Sequence, residues 1–540
     1  MLTPGLPEVL SVGQPRLTEG LDRLKRLDLA AYRAAFGPAP TLAPGRLIQM
    51  AEQVGLRGRG GAAFPVARKL RAVQASAQDR GCHTVVLVNA AEGEPGSAKD
   101  KSLLLRSPHL VLEGAMLAAR ELRARRVVVA VGGDGLPASS VQAAVREHPA
   151  LARRVRVLVV PDRFVSGEGG ALVNAVNGRA ALPPGRKVRA SERGVAGLPT
   201  LLSNAETFAQ LAVLSMLGPE GYASAGIPDE PGTTLLTVGG SAARPAVVEV
   251  PTGTALGEIL DICEAAPAEG VLVGGYHGVW LPAELADEVP VSHGSLAAAG
   301  GTLGPGVVLP VGQETCPLGE VARVTAYLAK ESSGQCGPCM LGLPAIARSV
   351  TALAQGSGGL DALDTARRAA AAVRGRGACG HPDGAFRFVV SALDVFADDL
   401  SAHLFRGGCG RPVRGVLPLR QDPDEVRLEV DWTRCRGHGL CAHLVPELVQ
   451  PDGQGYPVFL DMPVPAWLMR EARQAVEMCP SLALRLARRA AGHEDEPAFG
   501  VAAGLDLGVG AAQARGAGKQ VWQHDLVVTE SWIAEIGGTG

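Results

Sequence analysis

Three short apolar runs, separated by helical stretches, constrain the fold of this chain more than any other feature. They are TVVLVNA at 84–90, RVVVAVGG at 126–133 and RVLVVP at 156–161, and segments such as ELRARR lie between them. Strands that alternate with helices form a mainly parallel sheet covered by helices. The sequence therefore predicts an α/β domain over residues 41–235.

The rest of the chain of 540 residues is patterned differently and divides into further domains. Short strand patterns around one helix, GEILDICEAA, predict a small module at 236–317. Amphipathic helical patterns interrupted by cysteines predict a helical bundle at 318–405. The remaining segments are expected to be a loosely helical lead-in, a linker, a small compact domain and a flexible tail, at residues 1–40, 406–424, 425–490 and 491–540.

The charge balance excludes several classes of partner. The formal net charge is -2, with Lys+Arg 52 against Asp+Glu 54, so we expect the chain to bind neither nucleic acid nor an anionic membrane surface.

No apolar run reaches the roughly 18 residues that span a bilayer. The first residues, MLTPGLPEVL, do not have the pattern of a signal peptide. We expect a cytoplasmic protein without direct membrane insertion.

Six of the ten cysteines fall into two short-spaced groups. In a chain without a signal peptide, such groups indicate metal ligands rather than disulfides. The first group is Cys336 and Cys339 in ESSGQCGPC with Cys379 in GRGACGHPDG, and the second is Cys435 and Cys441 in CRGHGLC with Cys479 in MCPSLAL. Ser333 stands three residues before Cys336, where a third cysteine would have the same spacing.

Four motifs of the α/β region place glycines and polar groups next to strands or helices. They are GLRGRGGAAFPVARKL at 55–70, NAAEGEPGSAKD at 89–100, RFVSGEGGALVNAVNG at 163–178 and LPTLLSNAETFA at 198–209. A glycine loop before a helix presents backbone N–H groups to an anion, and a nearby lysine adds charge. Polar groups after a buried strand lie where α/β sheets bind ligands. Each motif alone also fits a plain turn, a solvated loop or a helix cap.

In this order, the four motifs resemble the FMN- and NADH-binding subunit of respiratory complex I and the related subunits of NAD-linked hydrogenases and formate dehydrogenases. The resemblance covers residues 45–405. It implies an FMN-binding α/β domain, a β-grasp module of the soluble-ligand-binding (SLBB) type and a helical bundle with a [4Fe-4S] cluster. The cofactor-binding residues that it implies are Gly58, Gly60, Gly61, Phe64, Lys69, Asn89, Glu92, Glu94, Gly167, Glu168, Ser203 and Asn204.

The chain departs from the family pattern at several of these positions. Ala91, Phe164, Gly169 and Ser203 stand where the family has Asp, Tyr, Glu and Asn. Of the three phenylalanines that hold the NADH adenine in the family, only Phe64 remains, and the other two positions are Ala72 and Arg189. Because one aromatic stack is worth ~0.5–1.5 kcal/mol, NADH should bind weakly. Two roles stay open for Arg189: stacking on the adenine, or binding the extra phosphate of NADPH.

The family pattern E-S-C-G-x-C-x-P-C has Ser333 of this chain at its first cluster ligand. Iron–sulfur clusters are held by thiolates, and a serine hydroxyl is harder to deprotonate. Three outcomes stay open: Ser333 binds iron, a [3Fe-4S] cluster forms, or Cys409, His381 or water completes the site. A zinc site of Cys336, Cys339, Cys379 and His381 fits the same residues, and so do three metal-free thiols.

The second cysteine group, with the acidic strand VRLEVDWTRC before it, resembles the single-cluster bacterial ferredoxins that serve cytochromes P450. This resemblance covers residues 425–488. Cys435, Cys441 and Cys479 suit a [3Fe-4S] cluster. His438 stands at the fourth-ligand position of a [4Fe-4S] cluster, and a neutral imidazole binds iron.

These resemblances imply a flavo-iron-sulfur oxidoreductase of the NADH dehydrogenase type. It would pass electrons from NAD(P)H through FMN and the bundle cluster to the fused ferredoxin domain, and then to a redox partner such as a ferredoxin, a cytochrome or a membrane reductase subunit. No catalytic acid or base is expected, because hydride transfer depends on orientation and the cofactor carries the chemistry. Two alternatives stay open: an electron-transfer subunit that does not use NADH, and a non-catalytic binding module that retains the fold.

Overall fold

A computed structural model describes residues 7–488, except for 134, 186–187, 267, 421–425, 446–447, 453, 460–463 and 465–468. The predicted tail at 491–540 therefore lies outside the described residues. The described chain forms two compact units, one that ends at Arg420 and one that begins after it. Among the described helices, none has the length and apolar character needed to cross a bilayer.

The first unit contains most of the regular structure. Its strands are β1 (Glu8–Ser11), β2 (Val85–Ala90), β3 (Arg126–Gly132), β4 (Val155–Val160), β5 (Thr200–Asn204), β6 (Gly226–Ile227), β7 (Glu230–Pro231), β8 (Thr233–Val238), β9 (Ala246–Pro251), β10 (Ala268–Val273), β11 (Val279–Pro282) and β12 (Val307–Gly312). Its helices are α1 (Leu29–Phe36), α2 (Arg46–Gln53), α3 (Val66–Arg80), α4 (Lys99–Arg106), α5 (Pro108–Glu121), α6 (Leu136–Glu147), α7 (Pro149–Ala152), α8 (Gly169–Val176), α9 (Ala205–Ala223), α10 (Leu256–Ile262), α11 (Ala283–Glu288), α12 (His293–Ala298), α13 (Pro317–Lys330), α14 (Leu343–Ala354), α15 (Gly359–Val373), α16 (His381–Val395) and α17 (Ala397–Arg406).

The predicted parallel sheet is present, with strand order β4-β3-β2-β5 and every neighbouring pair parallel. Val85 to Val88 are fully buried, as expected for a strand covered by helices on both faces. The fourth strand, β5, was not predicted as a strand. Its sequence was interpreted as a turn and helix cap, and Asn204 does both: it ends β5 and its side chain caps α9.

The second sheet is mixed and has the strand order β1-β9-β8-β12-β10-β11. Strands β8, β9 and β10 and helix α10 lie where the sequence predicts strands around one helix. β11 and β12 were missed, because each is a short apolar run without clear alternation. The β-grasp assignment of this module stays a prediction.

The N-terminal segment is not the loosely helical lead-in that the sequence predicts. β1 pairs in parallel with β9, so these residues form an edge of the second sheet. Farther along, the backbone N–H groups of Leu17 and Thr18 each donate to the buried carboxylate of Glu249 at 2.9 Å. A buried carboxylate needs hydrogen-bond donors, which explains why this segment packs against the second sheet. Within the described residues 7–40, α1 is the one α-helix.

The helical bundle consists of α13 to α17 and has its own apolar core, which includes Leu328, Ile346 and Phe388. Residues Pro338–Gly342, between α13 and α14, form a short π-helix that contains Cys339. Short π-helical turns are rare and occur frequently at functional sites. The local geometry thus supports the sequence-based interpretation of this stretch.

Residues 407–420, which we call the strap, correct the predicted linker. Pro412 O accepts from Cys316 N at 2.9 Å. The buried Glu320 carboxylate accepts from Gly415 N at 2.6 Å and from Val416 N at 3.2 Å, and Leu417 is fully buried. The described part of the predicted linker is therefore bound to the bundle and belongs to the first unit.

The second unit is a small α+β domain. Its elements are β13 (Val426–Val430), α18 (Leu440–Leu444), β14 (Val449–Pro451), β15 (Pro457–Phe459), α19 (Met469–Met478) and β16 (Leu484–Arg488). β13 pairs antiparallel with β16, and β14 pairs antiparallel with β15. A small apolar core that includes Val445, Ala472 and Cys441 lies beside these ribbons.

Candidate functional site

The glycine loop at 58–61 is fastened to the carboxyl end of β5. Asn89 of β2 and Asn204 of β5 are paired neighbours in the sheet. The Asn204 side chain donates to Arg59 O at 3.1 Å, and Arg59 N donates to Thr207 Oγ1 at 2.9 Å. The loop is therefore held at the sheet edge where parallel α/β folds bind their ligands.

The glycine loop leaves space where side chains would otherwise stand. A Cβ built on Gly60 or Gly61 would meet no atom within 4 Å. Lys69 Nζ donates to Leu202 O at 2.9 Å, and burial lowers the pKa of Lys69. Among the described residues, no carboxylate forms an ion pair with Lys69. A half-buried cation without an anionic partner, beside an open glycine loop and the start of α3, fits a phosphate group.

The loop after β2 packs against the turn at 163–168. The Asn89 side chain donates to Gly167 O at 2.9 Å and accepts from Ala91 N at 3.2 Å. A Cβ at Gly167 would lie 2.7 Å from Ala91 O, so only glycine permits this approach. Glu168 caps α8 by accepting from Ala171 N at 2.8 Å. The structure thus brings the predicted Asn89, Asn204, Gly167 and Glu168 to one edge of the sheet.

Glu92 is buried and Glu94 is half-buried, and both are engaged in protein contacts. Glu92 accepts from Asp100 N at 3.1 Å and from Lys101 N at 3.0 Å, so it caps α4. Glu94 Oε2 accepts from Tyr276 N at 3.0 Å and connects the loop to the second sheet. Burial raises the pKa of Glu94 to about 7. Glu92 therefore fixes the loop, whereas Glu94 keeps one buried oxygen without a hydrogen bond among the described residues.

A buried charge network at this edge escaped the sequence analysis. Lys99 Nζ lies 2.7 Å from Glu206 Oε2 and 3.2 Å from Asp100 Oδ1. Asp100 also accepts from the Asn204 side chain at 3.3 Å, and burial raises the pKa of Asp100 to about 6. The network therefore orients Asn204. The KD that ends NAAEGEPGSAKD and the Glu in SNAETFA were its signals in the sequence.

The positions implied for NADH lie at the surface. Phe64 is 47 % exposed, which is unusual for a phenylalanine and suits a stacking platform. Ala72 and Arg189, at the two positions where the family has phenylalanine, are also exposed. Ser203 is buried in β5 opposite Val88. Of these three positions, only Phe64 carries an aromatic ring.

The first cysteine group comes together in the bundle, and Ser333 lies in it. The Cys336 and Cys339 sulfur atoms are 3.7 Å apart, and Ser333 Oγ is 3.8 Å from Cys339 Sγ. Burial, with a smaller contribution from the neighbouring Cys336 and Cys379, raises the pKa of Cys339 to about 11. The serine therefore occupies a place at the cysteine group, as its spacing predicts.

Two residues suggested as replacement ligands are engaged elsewhere. His381 Nδ1 lies 2.9 Å from His277 Nε2, and His381 Nε2 lies 2.8 Å from Leu328 O. Both ring nitrogens are used, so a zinc site of three cysteines and His381 does not fit this geometry. Cys409 lies instead with Cys316 at the base of the strap.

A block of aromatic rings joins the turn at 163–168 to the cysteine group. The Phe164 ring centroid is 4.7 Å from that of His277 and 5.4 Å from that of His381. His381 is two residues from Cys379. Burial raises the pKa of Cys379, and the charge of Glu168 adds to this effect. The sheet edge and the bundle group are therefore packed neighbours.

The second cysteine group lines one cavity of the small domain, together with His438. Burial raises the pKa of Cys441, and the charges of Cys435 and Cys479 raise it further, so the three thiols are close together. Gly437 and Gly439 have φ of +67° and +72°, which lets the loop curl around the cavity. His438 Nδ1 lies 3.2 Å from Ser481 Oγ.

Three family models match successive parts of the chain. Residues 51–213 match the Nuo51 FMN-binding domain. Residues 320–403 match the NADH-ubiquinone oxidoreductase-F iron-sulfur binding region. Residues 428–486 match a 4Fe-4S single cluster domain. These ranges contain the sheet-edge residues, the bundle group and the small-domain group, respectively.

Curated relatives match this chain over most of their own length. The F subunit of NADH-quinone oxidoreductase from Mycobacterium tuberculosis (strain ATCC 25618 / H37Rv) is 32% identical over 399 residues, which are 69% of this chain and 88% of the relative. The corresponding protein from Streptomyces coelicolor (strain ATCC BAA-471 / A3(2) / M145) is 30% identical over 421 residues, with coverage of 73% and 92%. The one from Escherichia coli (strain K12) is 28% identical over 395 residues, with coverage of 69% and 87%.

Among solved structures, the NAD+-reducing [NiFe]-hydrogenase in the air-oxidized state is similar. The TM-score is 0.66 at 28% sequence identity, and the match covers 74% of this chain and 68% of that chain. The H2-reduced state of a NAD+-reducing [NiFe]-hydrogenase gives a TM-score of 0.65 at 29% identity.

Proposed function

Because the chain belongs to the family of NADH-quinone oxidoreductase F subunits, we propose that it oxidises NADH and delivers the electrons to an external redox protein through its iron–sulfur sites. The chain is a flavo-iron-sulfur electron-transfer subunit of the NADH dehydrogenase type. The observation that carries the proposal is the packing of the sheet edge against the bundle cysteines through Phe164, His277 and His381.

The residues of the sheet edge are proposed to bind FMN. Lys69 and the loop at 58–61 would hold the phosphate, because they supply a cation and open backbone N–H groups. Asn89 and Asn204 would fix the rest of the cofactor, since both side chains are oriented by hydrogen bonds to neighbouring loops. When bound, FMN converts a two-electron donor into single electrons. Gly167 and Glu168 would border its ring.

The two cysteine groups are proposed to bind the clusters. In the bundle, the ligands would be Cys336, Cys339 and Cys379 with Ser333 at the fourth corner. In the small domain they would be Cys435, Cys441 and Cys479, and His438 is a further donor on the cavity wall. The thiolates would hold the irons, and the aromatic block would cover one side of the bundle group.

The domain limits follow from these sites. We assign residues 41–235 to FMN and NADH binding, 236–317 to an SLBB-like β-grasp module, 318–420 to the bundle with its strap and 425–490 to the ferredoxin domain. Both units are one polypeptide, so the tethered domain has an effective concentration on the order of mM. Electron exit to it then need not wait for a diffusing protein. The partner that accepts its electrons is proposed to be a ferredoxin, a cytochrome or a reductase subunit, and the location is proposed to be cytoplasmic.

A second candidate function is an FMN/iron–sulfur subunit that takes its electrons from a protein instead of NADH. The exposed Ala72 and Arg189, which replace two aromatic positions of the family, favour it. The two functions share the flavin and the clusters and differ in the electron donor alone.

One anaerobic titration separates these functions. The full chain is purified without oxygen, its FMN is quantified, and the flavin absorbance is followed as NADH is added. The proposed function requires about one FMN per chain and bleaching of the flavin band by NADH. Flavin that is bleached by reduced ferredoxin but not by NADH or NADPH supports the second candidate. A chain that binds no FMN when FMN is supplied in excess contradicts both.

A further inference from the structure

Two cysteines outside the predicted cluster groups meet a histidine and an aspartate in the first unit. Cys316, Asp399, His403 and Cys409 each offer a ligand atom, and these atoms all lie within 4.8 Å of one another. Cys316 is the residue before α13, Asp399 and His403 are one turn apart on α17, and Cys409 begins the strap. The four residues therefore come from three separate segments of chain.

The distances fit tetrahedral coordination. Cys316 Sγ lies 3.4 Å from His403 Nε2, and His403 Nε2 lies 3.9 Å from Asp399 Oδ2. With zinc bonds of ~2.3 Å to sulfur and ~2.0–2.2 Å to nitrogen or oxygen, adjacent ligand atoms in a tetrahedron are roughly 3.4–3.8 Å apart. Small side-chain movements would thus place one ion among the four atoms.

Burial makes these polar groups costly unless each of them is paired. Cys316, Asp399 and His403 are all at least nine-tenths buried. Asp399 Oδ2 and His403 Nδ1 are buried without any hydrogen-bond partner among the described residues. Asp399 Oδ2 points at His403 within the group, while buried polar atoms normally find partners. An ion bound to Asp399 Oδ2 would satisfy that oxygen, and His403 Nε2, the ring nitrogen that faces the group, would donate its electron pair to the same ion.

Hydrogen-bond donors and a positive charge lie next to the four ligand residues. Arg411 donates to Asp399 Oδ1 at 2.7 Å, which orients the carboxylate and leaves Oδ2 free. Gly319 N, in the first turn of α13, donates to Cys316 Sγ at 3.2 Å, which orients this sulfur. Two thiolates, one carboxylate and a divalent cation leave one negative charge, and the Arg411 guanidinium, which also pairs with Glu269, lies beside it. Hydrogen bonds that orient ligands from outside are typical of metal sites.

We propose that Cys316, Asp399, His403 and Cys409 bind one structural Zn²⁺ ion. Two thiols release their protons on binding, and no electron is transferred. All four positions are filled by protein atoms, as in structural rather than catalytic zinc sites. The ion fastens the strap to α13 and α17. Through the strap it also supports Arg420, which donates to Glu92 O at 3.1 Å and so holds the loop after β2.

The test measures zinc and iron in the same samples of the full chain by mass spectrometry. We expect about one zinc per chain in the wild type and a loss of more than about tenfold in zinc occupancy in Cys316→Ser and Cys409→Ser. Cys82→Ser is the matched control, because Cys82 is a free cysteine outside all three groups, and it should keep its zinc. Cys336→Ser should lose iron and keep zinc.

X-ray absorption at the zinc edge of the wild type tests the site without any variant, and so covers the case that Cys316→Ser does not fold. The expected spectrum has two sulfur and two nitrogen or oxygen neighbours. A spectrum with three sulfur neighbours, or zinc that is lost from Cys336→Ser and kept in Cys316→Ser, would overturn the proposal, because it would place the ion at the bundle group. Wild-type protein that contains no zinc after expression with added zinc would also overturn the proposal. Neither result bears on FMN or NADH, which are measured separately.

Discussion

The two cysteine groups that are proposed to bind clusters differ in depth at their fourth position. Each group has one buried cysteine, Cys339 or Cys441, and two half-buried ones. Ser333 of the bundle is 6% exposed, whereas His438 of the small domain is exposed. A cluster whose fourth corner lies in the core exchanges electrons with groups packed against it, whereas a cluster beneath an exposed loop is accessible to a partner protein. We therefore infer that the bundle group is the internal relay and the small-domain group is the exit.

The same difference applies to the ligands. Each group has three thiols and one further position. In the bundle this position is the buried Ser333. In the small domain it is the exposed His438, on a loop with positive φ at Gly437 and Gly439. We therefore expect the two groups to respond differently when ligands are removed or added.

The largest effect should follow from loss of the exit. Cys435→Ala removes one of three thiolates from the small domain, so its cluster should be absent. Electron delivery to a protein acceptor should fall by at least about tenfold, since the tethered carrier is lost. Reduction of the flavin by NADH should stay unchanged. EPR of the reduced protein measures the loss of the cluster, and the rate of acceptor reduction measures electron delivery. Unchanged delivery would mean that the bundle group reduces the acceptor directly and that the small-domain group is not the exit.

The next effect concerns the entry of electrons, which should leave both cysteine groups intact. Lys69→Met removes the cation proposed to hold the FMN phosphate. A hydrogen bond to a charged group is worth ~1.5–3 kcal/mol, so the FMN dissociation constant should rise roughly 10- to 150-fold. Iron content should not change. Lys25→Met, at an exposed lysine, is the control. Equal FMN affinity in both variants would remove Lys69 from the site.

Much of this architecture was predictable from the sequence, and there are physical reasons why the remaining elements were missed. The parallel sheet was predicted because Val85–Val88 and their counterparts in β3 form continuous apolar runs, which indicate buried strands. The family resemblance and the flavin and iron–sulfur regions are confirmed by the matched models. The cofactor and metal residues stay predictions, since no comparison tests them one by one.

What sequence reasoning missed depends on contacts between distant segments. β1 was missed because a four-residue edge strand has no pattern of its own, and its partner β9 lies more than 230 residues away. The strap resembled a linker because it is rich in glycine and arginine. Its structure comes from Glu320, one buried carboxylate that collects backbone N–H groups. The group of Cys316 and Cys409 was invisible for the same reason, since 93 residues separate two ligands that lack a short-range spacing.

A smaller effect is expected at the NADH surface. Ala72→Phe adds an aromatic ring at an exposed position that, like Phe64, is implied for NADH binding. One stack is worth ~0.5–1.5 kcal/mol, so the KM for NADH should fall roughly 2- to 12-fold, with kcat almost unchanged. Phe64→Ala should raise KM by a similar factor. Both substitutions affect the binding of NADH, which precedes reduction of the flavin. The relative reduction of the two clusters at saturating NADH should therefore not change. Steady-state kinetics provide the measurement, and a KM that is insensitive to both substitutions would favour a donor other than NADH.

The smallest effect, and the sharpest comparison of the two groups, is expected from Ser333→Cys. Ser333 Oγ already lies 3.8 Å from Cys339 Sγ, so a thiol at this position needs little rearrangement. A fourth thiolate should raise the iron content by up to about one atom per chain, which is about a third of a three-iron cluster. It should also slow the loss of the bundle EPR signal in air, because a thiolate replaces a poor ligand.

The small domain provides the internal reference for Ser333→Cys, since its EPR signal should decay at the wild-type rate in the same sample. His438→Cys is the reciprocal variant: it adds a thiol at an exposed loop, where solvent still reaches the cluster. It should therefore add iron without an equal gain in air stability. If both variants gain the same protection, the number of thiolates controls cluster lability and burial does not. If Ser333→Cys changes neither iron nor decay while His438→Cys changes both, the serine oxygen already holds its iron as firmly as a thiolate would, and the bundle site is complete as it stands.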